Sequence, residues 1–317
     1  MLHIFLSYFY IIFFLIVFPT QLLLLYVIIF HSPKHLKTLK RIFLCNCSCQ
    51  IFSMITLVLL QARQVSNLNP VELWCYGPLR YLDAIVAYTM YVLCEGTVLM
   101  SSILIFITMY VKYEAVRSIH RERSAKFSVI ILSLSPLFIT MSAEAYLTIE
   151  YHLPIEYQEK FSAINSNLGD HTVIGYIALD NIPAQIVFCT ICGFFVIFPL
   201  IMFCLRRNII LFINSKLDLS STTMRQQNRA LINGLTLQAF LPLFCVCPIF
   251  ICSFVALITK TEILLEQYFV SVVLLLPTFF EPYITFYTVS HYRKQVRIWL
   301  GKENMGSMML VVSVSRL

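Results

Sequence analysis

Residues 4–30 read IFLSYFYIIFFLIVFPTQLLLLYVIIF, and residues 31–41 continue HSPKHLKTLKR. The first stretch holds no charged side chain. A helix of about 20 such residues, rising 1.5 Å each, crosses the roughly 30 Å hydrocarbon core of a bilayer. The second stretch carries Lys34, Lys37, Lys40 and Arg41 and no acid. An apolar run that stops at a basic block reads as a membrane span followed by a cytoplasmic loop. A cleaved signal peptide is the alternative. No Lys or Arg precedes the run, it is too long for an h-region, and no small-residue cleavage site follows, so it is expected to stay as an anchor.

The same alternation continues along the chain. Further apolar stretches of spanning length lie at about 42–62, 81–111, 127–149, 183–205, 230–258 and 268–290, which makes seven. The third is too long for a straight crossing and is expected to tilt or project. Loop 112–126 carries Lys112, Arg117, Arg121, Arg123 and Lys126. Loop 206–229 carries Arg206, Arg207, Lys216, Arg225 and Arg229, and the tail carries Arg293, Lys294, Arg297, Lys302 and Arg316. With the first loop these hold 19 of the 23 Lys and Arg residues, and only Arg63, Arg80, Lys160 and Lys260 fall in the other loops. Basic loops face the cytoplasm. The expected fold is therefore an all-α membrane protein, a bundle of seven transmembrane helices with its amino terminus extracellular and its carboxyl terminus cytoplasmic. Residues 1–300 form one domain and 301–317 a cytoplasmic tail. The Asn46-Cys47-Ser48 sequon falls on the cytoplasmic side and is expected to carry no glycan.

Composition agrees. Of the 317 residues 59% are hydrophobic and 12% charged, against about 25% charged in soluble chains. The net charge of +7 sits in short blocks between apolar runs and makes no basic face for nucleic acid. Most of the eleven cysteines lie inside apolar runs, where Cys packs as a small hydrophobe. Cys45-x-Cys47-x-Cys49 lacks the spacing and the partner ligands of a zinc clip, so no metal is expected. No nucleophile elbow, phosphate loop, zinc-protease helix or dinucleotide fingerprint occurs, which removes the case for an enzyme or a cofactor.

No Lys or Arg falls inside a span, but four acids do: Asp83, Glu95, Glu144 and Glu281. Such residues are costly in hydrocarbon and mark function or pairing. Tyr88, Tyr91 and Glu95 stand at i, i+3 and i+7 and share one helical face. Glu95 lies about 14 residues into its span, roughly 20 Å deep. With Asp83 nearer the outer water, these four are the candidate ligand-binding residues, on a pocket expected among the outer halves of spans three, five, six and seven. The competing reading of Glu95 is a protonated side chain bonded to a neighbouring helix, and that of Asp83 is simple solvation. Glu144 reads as structural. Pro136, Pro199, Pro242, Pro248, Pro277 and Pro282 interrupt the later spans and are candidate hinges. After the last span, Val296, Trp299 and Leu300 recur at i, i+3 and i+4 beside Arg293, Lys294 and Arg297, a short amphipathic helix suited to an anionic inner leaflet. The terminal Ser315-Arg316-Leu317 matches a peroxisomal address by chance.

Seven spans with basic inner loops and a basic post-membrane helix resemble a G-protein-coupled-type receptor. The rhodopsin-like signatures differ: span three ends Met109-Tyr110-Val111-Lys112-Tyr113-Glu114, and span seven has Glu281-Pro282-Tyr283. Cys75 finds no cysteine in loop 150–182, so no disulfide is expected there. Four stretches resemble the nematode serpentine chemoreceptors of the Str superfamily, most closely class delta. They are Ser32-Pro33-Lys34-His35-Leu36-Lys37-Thr38-Leu39-Lys40; Leu60-Gln61-Ala62-Arg63-Gln64 with Tyr76-Gly77-Pro78-Leu79-Arg80-Tyr81; Leu235-Thr236-Leu237-Gln238-Ala239-Phe240-Leu241-Pro242; and Glu281-Pro282 followed by Tyr287 and Tyr292-Arg293. The chain departs from the family in having Leu79 where Gly-Pro-Cys is usual and Glu281 where Asp-Pro is usual.

The resemblance implies a chemosensory (olfactory or gustatory) receptor in the plasma or ciliary membrane of sensory neurons. It would bind a small-molecule ligand and act on a heterotrimeric G protein, with Gln238, Pro242, Glu281, Pro282, Tyr292 and Arg293 as switch or structural motif residues. A ligand-gated channel-type chemoreceptor and a membrane transporter are the alternatives. The channel type has its amino terminus inside, against the basic-loop count. The transporter needs internal repeats and polar residues threaded through several helices, against four acids and no intramembrane base.

Overall fold

The computed structural model describes residues 2–32, 37–66, 71–118, 127–150, 172–176, 181–216, 222–259, 264–299 and 301. Among them stand seven long helices: α1 (Leu2–His31), α2 (Lys37–Leu60), α3 (Ala84–Ser118), α4 (Phe127–Glu150), α5 (Ile182–Lys216), α6 (Thr222–Thr259) and α7 (Leu264–Thr288). A short α8 (Ser290–Trp299) turns off α7 at 93°. The first five are long and apolar enough to cross a bilayer by length and composition. The bent pair Val272–Thr288 and Ser290–Trp299 makes a sixth, and α6 carries a shorter apolar stretch, Ile232–Cys245. Helices suit this composition because hydrocarbon offers no partner to an unpaired backbone group.

Each helix packs on the next, and α1 closes the ring against α7. The central element is α3, which touches α2, α4, α5 and α6. Its apolar window is 67% buried, against 11% for α4 at the rim. Large apolar side chains on the outer faces, such as Leu15, Leu132, Phe138 and Leu200, are exposed. A soluble protein would hide them, and a bilayer covers them.

One end of the bundle carries a small sheet that the sequence pattern does not announce. Strands β1 (Ala62–Ser66), β2 (Val71–Cys75) and β3 (Thr172–Tyr176) pair antiparallel in that order, with Ala62 opposite Cys75 and Cys75 opposite Thr172. Leu73, Cys75 and Ile174 are buried against Leu60, Tyr88 and Val92, so the sheet seals the ends of α2 and α3. Helix α2 stops at Gln61, whose φ of +46° is left-handed. The Gly77 amide then donates to the Leu60 carbonyl at 3.0 Å. A Cβ at residue 77 would sit 2.1 Å from the Leu59 carbonyl oxygen, which explains the glycine of the Gly-Pro pair. All eleven cysteines are free thiols, and Cys75 is fully buried. Burial pushes its thiol up to about 12.

The opposite end gathers the described basic residues of the helix termini, among them Lys37, Lys40 and Arg41 on α2, Arg206 and Arg207 on α5, and Arg293, Lys294 and Arg297 on α8. There Lys40 Nζ donates to the Ile29 carbonyl (2.5 Å), capping α1. Helix α8 is held to α1 by the Tyr292 hydroxyl, 2.7 Å from Ser32 Oγ, and by Trp299 packed on Tyr26 and His31.

Candidate functional site

The deepest polar structure in the bundle is a chain of side-chain hydrogen bonds across four helices. It starts from a missing donor. Pro282 has no N–H, so the carbonyl of Thr278, one turn earlier on α7, loses its helical partner. Gln21 of α1 replaces that partner, donating Nε2 to the Thr278 carbonyl at 2.8 Å and to Gln50 Oε1 at 2.9 Å. Gln50 of α2 donates to Ser101 Oγ of α3 (3.2 Å), and Ser101 donates to Asn46 Oδ1 (2.6 Å). The Asn46 amide in turn donates to the Glu281 carboxyl on α7. Cys47 Sγ lies 3.5 Å from Gln21 Oε1. Gln21, Asn46, Gln50 and Glu281 are all buried. Asn46, which heads the sequon, is therefore spent inside the bundle.

Helix α6 joins beside this chain. Gln238 Nε2 donates to Thr285 Oγ1 at 2.9 Å, tying α6 to α7. A small cavity of about 30 Å³ lies between Gln238 and Pro242 on one side and Gln50, Ser101 and Glu281 on the other. That volume admits one or two water molecules, and its wall offers them enough polar partners. The motif residues fall in two places. Gln238, Pro242, Glu281 and Pro282 line or border the α6–α7 contact, Tyr292 anchors α8 to α1, and the Arg293 guanidinium lies 5.7 Å over the Tyr287 ring.

A second polar cluster lies nearer the sheet. The Tyr88 hydroxyl donates to Glu144 Oε2 at 2.9 Å. One turn on, Tyr91 and Glu95 are close enough to interact, as are the Glu95 and Glu144 carboxyls. The shared face read from the sequence is real, but it turns toward α4. Tyr88 is only 1% exposed, packed under β2 and β3, and so does not line an open wall facing α5, α6 and α7. Asp83 is not part of the cluster. It is exposed at the start of α3, where its Oδ1 accepts from the Ile85 amide (3.1 Å) as an N-cap. Among the described residues no group of three or more His, Cys, Asp or Glu is placed to hold a metal ion.

Sequence reasoning singled out Glu281 by its charge but passed over Gln21, Gln50 and Ser101. The signal available was an uncharged amide or hydroxyl inside a long apolar run, which costs free energy in hydrocarbon unless it is bonded.

Comparison with known proteins adds the family. The sequence model described as "Serpentine type 7TM GPCR chemoreceptor Srd" matches residues 6–298. Serpentine receptor class delta-47 of Caenorhabditis elegans is 46% identical over 317 residues, covering all of both chains. Serpentine receptor class delta-48 of the same organism is 48% identical over 309 residues, 98% of each chain, and class delta-45 is 41% identical over 312 residues, also 98% of each. Helices that span a bilayer, a buried polar seam at Glu281-Pro282 and matches that run nearly end to end agree: this multi-pass membrane protein belongs to the Srd family of serpentine seven-transmembrane chemoreceptors.

Proposed function

We propose that the chain is a ligand-activated chemosensory receptor of the Str superfamily that signals through a heterotrimeric G protein and catalyses nothing. It works in the plasma or ciliary membrane of sensory neurons, with residues 1–300 as the receptor domain, its sheet end outside and its basic end in the cytoplasm. The observation that carries this reading is the polar seam from Gln21 to Glu281, with the 30 Å³ cavity between it and Gln238 of α6. A set of helices joined by exchangeable side-chain bonds, with room for water at the joint, can hold two discrete arrangements. A ligand that binds one arrangement better shifts the population toward it. Moving α6 relative to α3 and α5 would alter the basic end, where Arg206 of α5 already bonds Asn233 of α6 at 3.3 Å.

The Tyr88, Tyr91, Glu95 and Glu144 cluster is the ligand-responsive group in this reading, because it ties α3 to α4 just beneath the sheet. An acidic pair favours a cationic or hydrogen-bond-donating ligand.

The test uses cells co-expressing a Gα subunit and the receptor tagged at both ends, imaged for calcium against volatile and soluble odorants. The amino-terminal tag should stain on intact cells, and the response should require the Gα subunit. Glu95→Gln should shift the dose response to a cationic ligand tenfold or more, about 1.4 kcal/mol, at unchanged surface staining. An amino-terminal tag reached only after permeabilisation would favour the channel reading instead.

A further inference from the structure

We propose that the cleft between α3, α4 and α5 is a second binding site, for a compact, uncharged, apolar molecule that enters sideways from the bilayer. The cleft measures about 420 Å³, within the roughly 300–1,000 Å³ usual for small-molecule sites. Its walls include Phe106 of α3, Leu132 and Pro136 of α4, and Phe194, Phe198 and Ile201 of α5. None of the described residues that line it is charged. Of its few polar groups, the Ser133 hydroxyl is already donated to the Ile130 carbonyl at 2.7 Å. A charged ligand would find no compensating partner there.

Two observations place the entrance on the lipid side. Leu132 and Ile197 line the cleft and are 71% and 57% exposed, on faces of spanning helices that meet hydrocarbon. On the side of the cleft nearer the sheet, Ala143 and Leu147 of α4 pack against Ala184 and Val187 of α5 and close the gap between the two helices. The space itself depends on Gly193. A Cβ there would meet no atom within 4 Å, so any larger residue would project into the cavity.

The shape favours a compact molecule over a lipid chain. Phe194 and Phe198 stack at 4.8 Å and form a flat floor, and Phe106 closes it at 6.1 Å from Phe198. The same rings belong to the buried cluster that includes Ile232, Leu235 and Ala239 of α6. An occupant pressing on Phe198 therefore bears on the helix whose movement the receptor reading invokes. That coupling rests on the receptor reading, whereas occupancy of the cleft does not.

The test is photolabelling of the full-length receptor in phosphatidylcholine nanodiscs with an apolar aryl-diazirine hydrocarbon, mapped by peptide mass spectrometry. Labelling of residues 129–136 and 189–201 should saturate and should be competed by the non-photoreactive parent hydrocarbon. Gly193→Phe should cut it tenfold or more, while labelling of the lipid-facing α1 surface at Ile11, Ile12 and Leu15 stays unchanged. If Gly193→Phe does not reach the nanodisc folded, Ile197→Trp at the mouth should give the same loss. Labelling that never saturates and matches the level on α1 would mean that acyl chains alone fill the cleft, and the proposal falls. It falls equally if saturable labelling survives in whichever of these variants folds. None of these outcomes depends on G-protein coupling, so failure here leaves the receptor reading to its own test.

Discussion

Gln21→Leu isolates the most specific feature of the polar seam. Leucine nearly matches the volume of glutamine but donates nothing. The substitution removes the bonds from Nε2 to Gln50 Oε1 and to the Thr278 carbonyl. That carbonyl has no helical donor, because residue 282 is proline. Side-chain hydrogen bonds within membranes contribute about 0.6 kcal/mol on average and at most about 1.7, so two of them set an expected loss of roughly 1–3 kcal/mol. Scaled from large soluble domains, this is a fall of roughly 3–8 °C in apparent melting temperature. Pro282→Ala supplies the key control, because it gives residue 282 an N–H aimed at the Thr278 carbonyl. In that background Gln21→Leu should cost about one bond less, a coupling of about 0.5–1.5 kcal/mol in a double-mutant cycle. The assay is thermal melting of purified receptor with a thiol-reactive fluorogenic maleimide, which reports exposure of buried Cys47, Cys75 and Cys94. Equal shifts with proline and with alanine at 282 would refute the reasoning, as would no shift in either.

Gly234→Ala should separate α6 from α7, because its Cβ would lie 2.2 Å from Thr288 Cγ2. Overpacking of this kind costs about 1–3 kcal/mol; the same melting assay should show the loss, and Thr288→Ala should recover part of it. Unchanged melting of Gly234→Ala would mean that the two helices are not in close contact there. Cys75 should resist a membrane-impermeant maleimide at pH 7.5 and react once the protein is denatured. Its buried thiol is held up at about 12, against about 8.5 for an open one. The neutral thiol's contribution to stability is therefore complete below about pH 8.5 and is lost as pH rises toward 12. Ready modification of Cys75 in the folded receptor at pH 7.5 would contradict its placement under the sheet.

The parts of this fold that were legible in the sequence share one physical cause. Charge is so costly in hydrocarbon that spans and loops separate cleanly along the chain, and an exception such as Glu281 stands out. The helical period likewise put Tyr88, Tyr91 and Glu95 on one face. What the period could not give was the neighbour. Only the packing of α3 on α4 brings Glu144 to Tyr88, and Asp83, one residue before the helix, serves as its cap. The sheet was illegible because its strands are five residues each and β3 comes from a loop distant in sequence. The cleft between α3, α4 and α5 was illegible for the opposite reason: its lining is almost wholly apolar and looks like any lipid-facing surface.

The energetics of the seam argue that it is kept for something other than stability. An ionised side chain at mid-bilayer costs roughly 2.5–3.5 kcal/mol on insertion scales. The five bonds that join Gln21, Asn46, Gln50, Ser101, Thr278 and Glu281 return about 3 kcal/mol at 0.6 each. The same five bonds must also compensate the burial of the Gln21, Asn46 and Gln50 amides, which leaves little net gain. Apolar residues of the same size would pack the same four helices at no such cost. Polar groups held on these terms are retained for function in membrane proteins, and the place of these narrows what that function is. They lie neither under the sheet nor at the basic end but between the two, where α1, α2, α3 and α7 meet beside the Gln238 side of α6. In the receptor reading proposed above, a seam there would sense displacement of any one of those helices and pass it to the others. A receptor that reads a ligand near one face of the membrane and reports at the other needs a joint in that position.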